Sequence, residues 1–149
     1  MDFENELNKY SKQGNFNYKN GEDFSSKCNA PNDCAGIYLI YKKRQNSKKL
    51  IYIGSSGQRD KEGKLKVRQG GLFDRLTNGY HPNRFGQEKR IKRKKAFPLH
   101  MSISDISEIE IFWYVTYDKE HSDFPTDVEN KLTDRYKRNF DKLPEWHKQ

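Results

Sequence analysis

Tyr38, Tyr52, Arg75 and Glu129 are side chains that could act together on a phosphate ester. Opening such a bond takes a base or an oriented water to attack phosphorus and positive charge to offset what develops on the phosphoryl oxygens. It also takes a metal at the leaving oxygen and a means of holding the strand that is cut. Glu129 is the candidate metal ligand. It precedes Leu132 by three residues and Tyr136 by seven, spacings that put it on the inward face of a helix. An inward carboxylate needs a partner, either a divalent cation or a buried arginine, and spacing alone favours neither. Arg75 carries a guanidinium that fits a phosphate bidentately at any working pH, although an ordinary surface arginine has the same signature. A tyrosine with a reference pKa of about 10 needs positive charge nearby to act as a base. Lys64, Lys66 and Arg68 approach that region. Tyr80 and His81 are second-rank proton-transfer or phosphate contacts, with a solvated loop as the competing assignment for His81.

The charge pattern points to a polyanion. Lys89-Arg90-Ile91-Lys92-Arg93-Lys94-Lys95 has six basic residues in seven, and the chain of 149 residues carries a net charge of +8. Such a run either contacts phosphates, with a salt slope of about 0.9 per contact, or is a solvated loop. Arg90, Lys92 and Arg93 could alternatively read guanine edges in a major groove. A basic chain suits nucleic acid or an anionic membrane surface, against the plain alternative of a lysine-rich composition. The 9 Phe, 9 Tyr and 2 Trp argue against disorder. No run of 18 apolar residues predicts a membrane span. The acidic start, Met1-Asp-Phe-Glu, lacks the apolar stretch of a secretory signal. Cys28 and Cys34 have no zinc-site spacing with His81, His100, His121 or His147, so they read as free thiols of a cytoplasmic protein.

The elements that must position these groups follow from periodicity. Asp2 opens a short helix with Phe3, Leu7 and Tyr10 on one face. Residues 13–33 read as loop. Residues 35–41 and 50–54 are strands joined by too few residues for a crossover, hence an antiparallel hairpin. Centred on Gln45, that hairpin sets Tyr38 directly opposite Tyr52, either as a shared site or as a packing pair. Residues 55–71 form an exposed excursion. Gly70-Gly71 opens a helix over 72–76 that ends near Gly79, and Tyr80 to Gly86 is irregular. Over 108–117, Ile109, Ile111, Trp113 and Val115 face one way and Glu110, Phe112, Tyr114 and Thr116 the other, as in a strand covered on both sides. Asp123 and Pro125 start a final helix with Val128, Leu132 and Tyr136 on its apolar side, and Trp146 packs back on the core. The expectation is one α+β domain with a three-stranded, largely antiparallel sheet flanked by helices. Residues 1–33 form a helix-and-loop extension ahead of a core over 34–149 that carries basic insertions.

Gly36-Ile37-Tyr38 and Tyr52-Ile53-Gly54, with thirteen residues between, resemble the signature of the GIY-YIG nuclease superfamily. Leu72-Phe-Asp-Arg75-Leu76 and Asp127-Val-Glu129-Asn-Lys-Leu132 are similar to its helical arginine and glutamate segments, so the resemblance covers roughly Gly36 onward. It implies a three-stranded antiparallel sheet with flanking helices. Tyr38 and Tyr52 would sit at the active site, one of them helping to activate water. Arg75 would hold the scissile phosphate, and Glu129 would bind one Mg2+, or Mn2+ in its stead, that assists departure of the 3′ oxygen. Tyr52-Ile-Gly-Ser-Ser-Gly57 with the basic insertion behind it is most similar to the small type II restriction endonucleases, where a lysine of the insertion joins the site. Lys64 is that lysine, with Lys66 as its rival.

Two positions depart from the pattern. Gly79 stands four residues after Arg75, where many members have His or Tyr, so Tyr80 or His81 would substitute. Pro144-Glu-Trp-His147 stands for Pro-x-Trp-Asn, so His147 would donate the supporting hydrogen bond. The implied activity is metal-dependent, sequence-specific cleavage of double-stranded DNA. It would be performed by a homodimer, at least while cutting, with a cognate methyltransferase as a further partner to look for. The alternatives are a non-catalytic nucleic-acid-binding module that keeps the fold, or a structure-selective repair or mobile-element nuclease.

Overall fold

The computed structural model describes residues 3–82 and 90–147. The chain runs through α1 (Glu4–Leu7), β1 (Gln13–Lys19), α2 (Phe24–Lys27), β2 (Ala35–Arg44), β3 (Ser47–Ser56), β4 (Gln58–Arg59) and β5 (Leu65–Lys66). It continues through α3 (Gly71–Thr77), β6 (Tyr80–Pro82), β7 (Arg90–Lys92), α4 (Arg93–Ile103), β8 (Glu108–Tyr117) and α5 (Pro125–Phe140). The class is α+β. An antiparallel sheet has the order β1-β8-β2-β3, and β4-β5 and β6-β7 form separate two-stranded ribbons.

The sheet has one strand more than expected. β1 lies in the stretch read as loop, because Gln-Gly-Asn-Phe-Asn-Tyr-Lys has no branched aliphatic residue. Phe16 and Tyr18 are buried on alternate positions while Asn15, Asn17 and Lys19 are exposed. Two aromatic anchors suffice for an edge strand with one face on the core. At the other end of the chain's order, α5 starts where Pro125 predicts. Its N-cap is Phe124, however, and Asp123 instead accepts a hydrogen bond from the Tyr10 hydroxyl at 2.6 Å. Asp2 lies outside the described residues.

The alternation along β8 divides the interior as expected. Ile109, Ile111, Trp113 and Val115 join Tyr38, Ile40 and Ile51 on one face, under Leu72 and Leu76 of α3 and Phe97 and Met101 of α4. Tyr114 joins Ile37, Leu39, Tyr41, Leu50 and Ile53 on the other, under Leu132 and Tyr136 of α5 and Phe3, Leu7 and Tyr10. The sheet is thus a middle layer with α3 and α4 on one side and α5 on the other.

The hairpin forms, but its register differs from the one centred on Gln45. Arg44 pairs with Ser47 around a two-residue turn, and an irregularity between Ile40 and Tyr41 shifts the ladder, so Tyr38 faces Gly54 and Ile40 faces Tyr52. The extra residue is Ile51, which falls between Leu50 and Tyr52 on the bulged strand. Ile51 and Tyr52 both turn toward the α3–α4 face as a result.

Candidate active site

The bulge makes Tyr38 and Tyr52 diagonal neighbours, with ring centroids 6.0 Å apart and planes tilted by 30°. Both glycines of the paired strings are required by close approach. A Cβ on Gly54 would run into the ring of Tyr38, which lies across it. One on Gly36 would collide with the Tyr114 carbonyl oxygen, where the ladder to β8 shifts register. Tyr38 is fully buried and Tyr52 partly so. Burial and the neighbouring Tyr38 hold the Tyr52 phenol well above its ordinary range, while Arg93 pulls the other way.

Arg93 overturns its sequence assignment. It belongs to the basic run yet is only 2% exposed, so it cannot contact a DNA phosphate from the surface. Its Nε donates to the Tyr38 hydroxyl oxygen at 3.0 Å, its Nη1 donates to the Tyr80 carbonyl, and it hydrogen-bonds Tyr52. The cause is α4, which the sequence reading did not predict. Ala96, Phe97, His100 and Met101 are buried at the helical spacings that follow Arg93, which puts the arginine on the apolar face. That spacing was the available signal, and the surrounding charge masked it.

Arg75 and Glu129 come from opposite sides of the sheet to the end of β3. Arg75 Nε donates to the Ser55 carbonyl at 3.2 Å, and Ser55 hydrogen-bonds the Glu129 carboxylate. Burial raises the Glu129 pKa above the ordinary carboxylate value, opposed by that hydrogen bond and by the charges of Arg75 and Arg93. An open cleft of about 480 Å³ lies beside them, lined by Ser55, Lys66, Arg68, Arg75, Thr126 and Glu129 among others. Among the described residues Glu129 is its one carboxylate, facing Lys66, Arg68 and Arg75. Arg68 also pairs with Asp74 at 2.9 Å. Ser55 was not among the expected site residues, and its serine type gave no signal.

The remaining expectations divide. Lys64 is exposed in a tight turn, where its amide donates to Asp60 Oδ1 at 2.9 Å, and it does not line the cleft; Lys66 does. His81 is buried rather than solvated, packed on Tyr52, Phe97 and His100 at centroid distances of 5.2, 5.6 and 5.2 Å. Burial, helped by the Arg93 charge, pushes its pKa down to about 3, so it is neutral near pH 7 and ill-suited to proton transfer there. Tyr80 is 51% exposed, with the Arg90 guanidinium over its ring.

His147 lies against Tyr52, and in its bond to β3 it accepts where donation was expected. Its Nε2 accepts the Ile53 amide at 3.0 Å, and its ring stacks on Tyr52 at 4.5 Å. Arg90, Lys92 and Lys95 are exposed and Lys94 is half-buried, while Lys89 lies outside the described residues.

Among the described residues no group of three or more His, Cys, Asp or Glu side chains could hold a metal. A single carboxylate on an open cleft still fits Mg2+, which keeps its waters and takes one or two carboxylates with substrate oxygens. No helix among the described residues is long and apolar enough to cross a membrane. Comparison of the chain with protein-family models, curated proteins and solved structures gave no match.

Proposed function

We propose that this chain is a Mg2+-dependent endonuclease of the GIY-YIG kind that hydrolyses phosphodiester bonds in double-stranded DNA, of type II restriction type. The observation that carries the proposal is the meeting of Arg75 and Glu129 at Ser55, on a cleft whose other charged walls are cationic. The paired glycine–tyrosine strings beside it support the same family and fold.

In this proposal Arg75 binds the scissile phosphate and Lys66 takes a neighbouring one, the pairing of fixed cations with phosphate that phosphoryl transfer needs. Lys66 replaces Lys64 as the insertion's lysine. Glu129 would hold Mg2+, which when bound would supply charge to offset what develops on the departing 3′ oxygen. Tyr52 orients the attacking water, with its ring fixed by His147 and its oxygen by Arg93. Tyr38, sealed from solvent, acts through that hydrogen-bonded group rather than on water. Recognition falls to the loops and ribbons around the cleft, and cutting both strands of a palindrome calls for two copies of the chain.

Digestion of plasmid and phage DNA with Mg2+ tests this, beside an EDTA control and Glu129→Gln. The expected result is discrete fragments, lost with EDTA and reduced on the order of a thousandfold in the variant. Because burial raises the Glu129 pKa, the charged carboxylate costs stability as pH rises through that value. Glu129→Gln therefore melts at a higher temperature than the parent at pH 8. A folded chain that shifts DNA in a salt-sensitive way but never cuts it would leave a binding module, and nicks or smears would indicate structure-selective cleavage.

A further inference from the structure

We infer that Arg93 is a positioning residue for Tyr52, entering through the space left by the missing side chain of Gly79. The inference deepens the nuclease proposal and rests on it. It assigns Arg93 a role beside Tyr52 that is distinct from the proton-transfer or phosphate contact the sequence offered Tyr80 or His81.

Three observations carry it. A Cβ on Gly79 would lie 3.0 Å from Arg93 Nη1 and would collide with the Arg75 carbonyl, so the bare Cα is where the guanidinium passes. The Arg93 amide also donates to the Gly79 carbonyl at 2.8 Å, which pins the start of α4 against the end of α3. The guanidinium then spends its donors on Tyr38, Tyr52 and the Tyr80 carbonyl.

The chemistry follows from what a guanidinium is. It only donates and is always charged. The Tyr38 and Tyr52 oxygens must therefore accept from it, and each phenol proton points elsewhere. The guanidinium holds Tyr38 against Tyr52, and its charge beside the Tyr52 oxygen makes negative charge there cheaper than burial alone would allow. Tyr80 cannot serve instead, because it meets Arg93 through its carbonyl and turns its ring outward. His81 is neutral and walled in by aromatic rings.

The test uses the full chain with Arg93→Gln, Arg93→Lys, Tyr52→Phe and the Arg93→Gln/Tyr52→Phe double variant. Each is checked for folding by thermal melting, and Arg93→Lys is read if Arg93→Gln does not fold. Arg93→Gln is expected to lower kcat on the order of 100-fold with KM little changed. The double variant cuts no more slowly than Tyr52→Phe. The salt slope of DNA binding stays that of the parent, since a buried arginine neutralises no phosphate. Additive losses, or a salt slope reduced by about 0.9, would overturn the inference and leave the nuclease proposal standing. A parent chain that binds but never cuts would overturn both.

Discussion

His81 couples the site to pH through a cost the native state bears. Its imidazole is buried with Nδ1 lacking a hydrogen-bond partner among the described residues, and its pKa is pushed down to about 3. The unfolded chain holds this proton below about pH 6.5 and the native state does not until about pH 3. The unfolded state thus binds more protons across that window, and stability falls as pH drops through it by up to about 1.4 kcal/mol per pH unit. Urea titrations of the parent and His81→Leu between pH 7 and 4 should show the parent losing stability more steeply; parallel curves would refute the assignment. His81 and Arg93 also show what sequence could not disclose at this scale. His81 was read as a second-rank site residue and Arg93 as a surface contact to DNA, and neither reading foresaw a buried side chain. Their burial depended on α4, whose apolar spacing lay inside and just beyond a run of charge.

Between residue and fold stands the segment that follows α5. Trp146 stacks on Phe97 at 5.8 Å and its amide donates to the Ile51 carbonyl at 2.9 Å, while His147 takes the Ile53 amide. These bonds satisfy part of the outer edge of β3 at the bulge that sets Tyr52, so stability and site geometry share one latch. His147→Ala is expected to cost about 1–2 kcal/mol, from a hydrogen bond and a ring stack, and to slow cleavage. His147→Asn, which keeps a side-chain acceptor, should recover part of both. Denaturant midpoints at unchanged m-value, with single-turnover rates, measure this. The hairpin, the two-faced strand β8, α3, α5 and the docking of Trp146 were legible because apolar periodicity or turn residues marked them. β1 and α4 were not, because Asn and Gly dilute one and Lys and Arg the other. The register of β2 on β3 was legible only to within the bulge, which no residue type announces.

Over the whole molecule, the basic excess of the sequence is divided among three settings. Lys66, Arg68 and Arg75 face the cleft, Arg93 is internal, and Arg90, Lys92 and Lys95 remain on the surface. Neutralising Arg90, Lys92 or Lys95 singly should lower the salt slope of DNA binding by about 0.9 for each residue that meets a phosphate. Fluorescence anisotropy across a salt series separates these from substitutions that leave the slope untouched. The order β1-β8-β2-β3 has a further consequence, for how the chain reaches this state. β8 is central, pairs with both β1 and β2, and is reached only after residue 107. Until it arrives, β1 has no strand to join, and its pairing spans some of the longest sequence separations in the sheet, such as Lys19 with Glu108. Local hairpin formation between β2 and β3 can come early, but closing loops of that length is slow. A nascent or heat-damaged chain lacking β8 would present open strand edges and bare aromatic rings, so its recovery should depend on concentration and on chaperones far more than its modest size suggests.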